Sequence, residues 1–267
     1  MYYTKGQLMH KQKRGFTLVE LLVVIAIIAL LMGILMPSLS RARDQAKTIL
    51  CRSNLKNLSL GWTMFVDDND GDIVEGETGW AKTPSGQPGS TFIEREKNGI
   101  KKGDLWPYIN DLGVYHCSAD RAMKDHSDET TGSKALFRSY AIPGGMNGKH
   151  SKYLPGVEIK KIMNIKSPAT KYIFVEEDHV GRDNGNWGSW ILNPASNKWW
   201  DGMAVLHHKK ACLGFADGHA EIHTWVDKST IDDMGQLHLQ GVTPAANEGQ
   251  DLKYMQDHYE LRVYPTD

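Results

Sequence analysis

The chain has 267 residues, 40% of them hydrophobic and 24% charged, an ordinary globular composition that excludes disordered and fibrous classes. A formal net charge of -1 with a pI near 6.8 leaves no basic footprint, so nucleic acid is not an expected partner. Mean hydropathy is modestly polar despite one strongly apolar segment, which divides the chain into an anchor and a hydrophilic body.

The anchor comes first. No charge occurs from Leu21 to Met36, and counted from Phe16 the apolar stretch reaches about the twenty residues a helix needs to cross a bilayer. The preceding "KGQLMHKQKRG" carries Lys5, Lys11, Lys13 and Arg14, so the positive-inside rule keeps residues 1–15 cytoplasmic and sends the C-terminal side out. A secretory signal has a shorter apolar core and then a small-x-small site; here Pro37 and "SLSRARDQAK" follow directly, so cleavage after the span is not expected. Glu20 is the anomaly. A charge inside hydrocarbon costs at least about 2.5–3.5 kcal/mol on insertion scales, which makes this carboxylate functional by default.

The stretch "KRGFTLVELLVVIAIIALL" closely resembles the N-terminus of type IV pilins and type II secretion pseudopilins. The resemblance implies cleavage by a prepilin peptidase between Gly15 and Phe16, methylation of the new Phe16 amine, and retention of the apolar segment as a single-pass anchor. It also implies a bacterial inner-membrane location with a periplasmic body, and partners that are the peptidase, other pilin-like subunits and the membrane. In that family the residue matching Glu20 neutralises the N-terminal amine of a neighbouring subunit. Such pairing is physically reasonable, because a buried carboxylate is tolerable only with a partner.

No strong helix stop appears before "DDNDGD", so residues 16–66 are predicted as one helix roughly 75 Å long, bent at Pro37. Its outer part has two apolar faces about 150° apart: Leu39, Ala42, Ala46 and Ile49 on one, Cys51, Leu55, Leu58, Trp62 and Phe65 on the other. The first suits neighbouring helices and the second suits the chain's own body. The stretch "VDDNDGDIVEGE" places Asp68, Asp70, Asp72 and Glu77 at EF-hand ligand positions, but Val66 occupies the first of them. An acidic turn ending the helix is preferred over a calcium site, and no cofactor is expected.

Residues 67–267 form the body. Gly, Pro, Ser and Thr dominate 76–103, which reads as a surface loop, and "DLWPYINDLGVYHCSAD" reads as a short helix running into an extended piece. Strands are expected at 171–177, 202–208 and 211–225. In the last, Asp217-Gly218 suggests a two-residue hairpin turn that pairs Phe215 with Ala220 and Leu213 with Ile222 on a core face, and Gly214 with Glu221 and Cys212 with His223 on the other. The fold class is therefore α+β, a long N-terminal helix packed on an antiparallel sheet.

Cys51, Cys117 and Cys212 show no CxxC and no zinc-like spacing, leaving either one disulfide with a spare thiol or three buried thiols. His207, His208, Asp217, His219 and His223, with Glu176, Glu177, Asp178 and His179, supply enough ligand types for a metal or acid-base site. Yet no hydrolase, phosphate-loop or metalloprotease motif accompanies them, so no catalytic residue and no metal ligand is assigned. Trp187, Trp190, Trp199, Trp200 and Trp225 suit either a glycan-binding surface or the cover of a thin core.

The spacing of His207, nine residues, then Asp217-Gly218, within 207–225, resembles the H-x9-DG signature of prepilin-like proteins of planctomycete-type bacteria. "CRSNLKNLSLGWTMFVDDNDG", "YHCSAD" and "SYAIPGGMNG" resemble the same group, and the shared cysteine positions imply a Cys51–Cys117 disulfide. The function so implied is structural rather than enzymatic: a pseudopilin or minor pilin of a type II secretion or type IV pilus-like assembly. The alternative is an anchored surface module for polysaccharide or a secreted substrate. Protein from its native membrane is predicted to begin at a methylated Phe16 by N-terminal sequencing; a mature chain beginning at Met1 or near Ser38 would refute the pilin reading.

Overall fold

A computed structural model describes residues 18–76, 78–120, 137–147, 159–177, 189–233 and 243–259. Gly15, Phe16, Glu77, Asp178, His179 and Trp187 lie outside them. The chain separates into two compact units, Met1–Arg43 and Asp44–Asp267. Helix α1, Leu18–Asp68, contributes to both and runs through Pro37.

Within the second unit, α1 buries Cys51, Leu55, Leu58, Trp62 and Val66. Their spacing of three and four residues makes one stripe, the one expected to pack under the body. Ile49 of the other apolar face is exposed, as are Leu50, Leu60 and Met64. The helix ends at "DDNDGD", where Asp70 and Gly71 take positive φ of 51° and 80°. There Asp68 accepts a hydrogen bond from the Tyr108 hydroxyl at 3.0 Å and Asp72 pairs with Lys161 at 2.8 Å.

The stripe meets a five-stranded sheet. Strands β1 (Tyr140–Pro143), β2 (Tyr172–Glu176), β3 (Ser189–Trp190), β4 (Lys210–Phe215) and β5 (Ala220–Thr224) lie in the order β3-β1-β2-β4-β5. Pairing is antiparallel from β1 through β5, whereas β3 joins β1 in parallel, so the sheet is mixed at one edge. An irregularity between Tyr172 and Phe174 inserts Ile173 into β2. Ile173 and Phe174 consequently both join the cluster around α1, while Tyr172 and Val175 join the cluster on the opposite face.

That opposite face decides between the two readings of the tryptophans and corrects one expected strand. It is covered by Trp190, Leu192, Trp199, Met203 and Trp225, together with Leu252 and Met255 of the C-terminal helix Gln250–Asp257. Trp190, Trp199 and Trp225 are each at most 1% exposed, so the aromatic cluster is core rather than a display for glycans. The segment 202–208 is not a strand. It makes one bridge, Met203 to Glu177, because its side chains are committed to this layer and to α1.

The expected loop at 76–103 contains helix α2, Phe92–Lys101. Thr91 and Glu94 form a capping box: the Thr91 hydroxyl accepts from the Glu94 N–H at 3.2 Å and the Glu94 carboxylate accepts from the Thr91 N–H at 3.2 Å. The helix carries Glu96 inward, where its carboxylate accepts the Phe137 and Arg138 N–H groups at 2.6 and 3.3 Å. Burial pushes the Glu96 carboxyl up, against the pull of the Arg138 guanidinium, which stacks 4.8 Å from the Trp80 ring.

Close approach of β4 to α1 depends on Gly214. A Cβ there would sit 2.5 Å from Ser59 Oγ and 3.3 Å from the Leu55 carbonyl oxygen. Gly214→Ala is predicted to destabilise the body by about 1–3 kcal/mol, the usual effect of overpacking. Thermal unfolding of the full chain in detergent, followed by near-UV circular dichroism, measures it.

Candidate functional site: the exposed anchor and the buried motif

Two regions carry the sequence's unusual residues. In the first unit, Leu18–Met36 is exposed on every side, and α1 is, among the described residues, the helix long and apolar enough to cross a membrane. Glu20 lies exposed in its first turn, where a helix's partial positive charge favours a carboxylate. Removing such a surface from water is worth roughly 25 cal/mol per Å2, so lipid or other helices are its natural environment.

The second region is buried and built around β4. The hairpin turn is three residues rather than two: Phe215 N–H donates to the His219 carbonyl at 2.9 Å and Gly218 N–H to the Phe215 carbonyl at 3.0 Å. Gly218 has φ of 91°, a conformation that favours glycine, and Asp217 accepts the His219 N–H at 3.1 Å. The extra residue shifts the register by one from the expected pairing. Cys212 faces Ile222, Leu213 faces Glu221 and Gly214 faces Ala220. Both faces of β4 are nevertheless core, since Cys212 packs toward α1 while Ala211, Leu213 and Phe215 pack toward the tryptophans.

At the other end of β4, positive φ at His208 (50°) and Lys209 (66°) turns the chain so that both histidines reach α1. His208 Nε2 lies 3.0 Å from Asp44 Oδ2. His207, 3% exposed, places Nδ1 3.2 Å from Thr48 Oγ1 and Nε2 3.0 Å from Glu176 Oε1. Glu176 closes β2 and is fully buried; its Oε2 accepts the Cys212 N–H at 2.7 Å.

Cys51 of α1 and Cys117 are bonded as a disulfide, with Cα atoms 5.3 Å apart and 66 residues between them in sequence. Cys117 Sγ lies 3.3 Å from His207 Nε2 and accepts the Ala119 N–H at 3.4 Å. Cys51, Cys117, Glu176 and His207 therefore offer four ligand atoms within 4.8 Å of one another, all buried. Cys212 is the remaining thiol. Burial pushes its pKa up, with the Glu176 carboxylate adding to the effect, and the same two influences raise Tyr140. Both stay neutral beside Glu176.

Of the residues singled out by sequence, Cys51, Cys117, His207 and Glu176 come together, while Asp217 and Gly218 shape the far end of the same hairpin. His219 and His223 do not join this cluster: His219 pairs with Asp217, and His223 stacks on Tyr254 at 3.9 Å. Thr48, not singled out beforehand, holds the imidazole. Its only sequence signal is its place one turn before Cys51, on the side of α1 that becomes buried.

The description "Prokaryotic N-terminal methylation motif" matches residues 10–36. The chain is 29% identical over 141 residues to type II secretion system core protein G of Pseudomonas aeruginosa, covering 52% of this chain and 87% of that protein. It is 40% identical over 60 residues to type IV wide pilus major component PilA4 of Thermus thermophilus, covering 22% of this chain and 46% of that protein. No solved structure matches. One relative is thus a core protein of a secretion system and the other the major component of a pilus.

Closing a loop of 66 residues stabilises by about 4 kcal/mol in the chain-entropy model, so Cys117→Ser is predicted to lower the body's stability by about that amount. Peptide mapping without reduction should recover Cys51 and Cys117 linked and Cys212 as a free thiol; a Cys51 peptide alkylated before any reduction would refute the linkage.

Proposed function

We propose that the chain is a pilin-like structural subunit, a pseudopilin or minor pilin of a type II secretion or type IV pilus-like assembly. A prepilin peptidase cuts it between Gly15 and Phe16, one span holds it in a bacterial inner membrane, and the body faces the periplasmic side. The observation that carries this reading is the helix surface that the chain's own body leaves uncovered. The apolar span is not buried by the rest of the chain, and Leu39, Ala42, Ala46 and Ile49 extend exposed apolar surface beyond it. A subunit that packs helix against helix needs such a strip, and a chain that merely floats in water is penalised by it.

The methylation-motif match and the two relatives support this reading. The resemblance to the H-x9-DG group is part of this proposal, and it is supported by the structural tasks of His207 and Asp217-Gly218 at opposite ends of one strand. No reaction is assigned. The alternative of a polysaccharide-binding module is weakened by the burial of Trp190, Trp199 and Trp225.

Glu20 provides the test. If its carboxylate meets the Phe16 amine of a neighbour, Glu20→Val leaves insertion and cleavage intact, since the span only becomes more apolar. Assembly then fails, because removing one partner of a buried charge pair costs about 3–5 kcal/mol, more than a hundredfold in association. Crosslinking in native membranes at matched expression reads this directly. Equal ladders from wild type and Glu20→Val would mean that the carboxylate has no part in assembly.

A further inference from the structure

The cluster around His207 has an unusual proton inventory. Thr48 Oγ1 donates its single proton to the Asp44 carbonyl at 2.9 Å, so toward His207 Nδ1, 3.2 Å away, it acts as acceptor. The proton of a neutral imidazole therefore belongs on Nδ1, and Nε2 presents a lone pair. That lone pair faces Glu176 Oε1 at 3.0 Å and Cys117 Sγ at 3.3 Å, both acceptors when the carboxyl is ionised and the sulfur is oxidised or a thiolate. Electron pairs converge on one buried point. Two thiolates would add further negative charge, which calls for a cation.

We propose that, with Cys51 and Cys117 reduced, these two sulfurs, His207 Nε2 and Glu176 Oε1 hold one zinc ion. Two thiolates, an imidazole and a carboxylate are zinc ligands, whereas calcium and magnesium require mainly oxygen. Tetrahedral zinc, with bonds of about 2.0–2.3 Å, sets its donors roughly 3.3–3.8 Å apart. The imidazole, carboxylate and Cys117 sulfur already stand at 3.0 and 3.3 Å from one another along the two contacts to Nε2. The two sulfurs must part by about 1.7 Å, the difference between a disulfide bond and a tetrahedral edge.

Three of the four ligands have an outer partner in place, which is what fixes a metal ligand's orientation. Thr48 accepts from His207 Nδ1–H, the Cys212 N–H donates to the second oxygen of Glu176, and the Ala119 N–H donates to the Cys117 sulfur. All four positions being filled by protein, the site is closed and structural; it offers no open coordination for chemistry. Metal and disulfide are alternative cross-links between α1 and the same segment. Exchange with a disulfide-bearing oxidant converts one to the other: the two zinc thiolates form the Cys51–Cys117 bond, the oxidant's disulfide leaves as two thiolates, and the zinc ion departs.

The inference does not depend on the pilin reading and is tested apart from it. The full chain in detergent is reduced with a phosphine, desalted without oxygen and titrated with Co2+, then Zn2+. One Co2+ per chain is expected, with thiolate-to-cobalt charge-transfer absorption and the intense d–d bands of a tetrahedral ion, displaced by one equivalent of Zn2+. The oxidised chain should give no such spectrum, and Cys212→Ser should keep it. Thr48→Val removes the imidazole's outer partner, together with the side-chain bond to the Asp44 carbonyl, and should weaken zinc binding roughly ten- to hundredfold, by chelator competition, with unchanged far-UV circular dichroism. A reduced wild-type chain without the charge-transfer band would overturn the proposal. So would a band that survives Cys51→Ser, or Thr48→Val binding zinc as tightly as wild type.

Discussion

The fold turns on one packing contact, the buried stripe of α1 against strand β4. Contacts advance along both elements together. His207 and Cys212 reach Thr48, Gly214 sits against Leu55 and Ser59, and Gly218 lies near Leu60 and Thr63. The strand thus runs alongside the helix for several turns, held at its start by a buried imidazole and at its end by a turn that requires positive φ. The spacing of His207 to Asp217-Gly218 then has a physical content: it is the length of chain needed to enter β4 from α1, run its six residues and turn back. The remaining strands take their places by pairing outward from β4 and β2.

This arrangement spends one side of α1 and leaves the other alone. Had the body wrapped its own part of the helix completely, Ile49, Leu50, Leu60 and Met64 would be core; instead each is exposed. The sheet covers the buried stripe on one face and uses its opposite face to pack tryptophans and the C-terminal helix, so no layer remains to cover the outer strip. Solvent exposure there follows from how the layers are allotted, and it is the same allotment that makes the helix available to other helices.

What the sequence disclosed and what it hid follow a physical rule. The two faces of α1 were legible because helical periodicity places residues 51, 55, 58 and 62 together whatever the rest of the chain does. The hairpin was legible but not its register, since Asp-Gly serves a two-residue turn and a three-residue turn alike. Helix α2 had a readable start in Thr91 and Glu94, obscured by the glycines and prolines before it. The Cys51, Cys117, Glu176 and His207 cluster was not legible as a site. Its members are 66, 90 and 31 residues apart along the contacts that join them, so no local spacing can announce it.

The third cysteine shows how this cluster is kept orderly. Cys212 packs in the same α1-side cluster as Cys51 and Cys117, with its sulfur 3.7 Å from the Thr48 carbonyl, and a free thiol that shares a core with a disulfide is a candidate for exchange. Exchange requires a thiolate, and attack along the sulfur–sulfur axis. Burial disfavours the charged form of Cys212, and the Glu176 carboxylate, fixed by the Cys212 backbone N–H itself, disfavours it further. The carboxylate that completes the cluster with His207 thereby also suppresses the free thiol of the same core. A single buried charge does both because β2 and β4 bring Glu176 between the imidazole and the thiol, an outcome of sheet pairing and not of any feature of the cysteines.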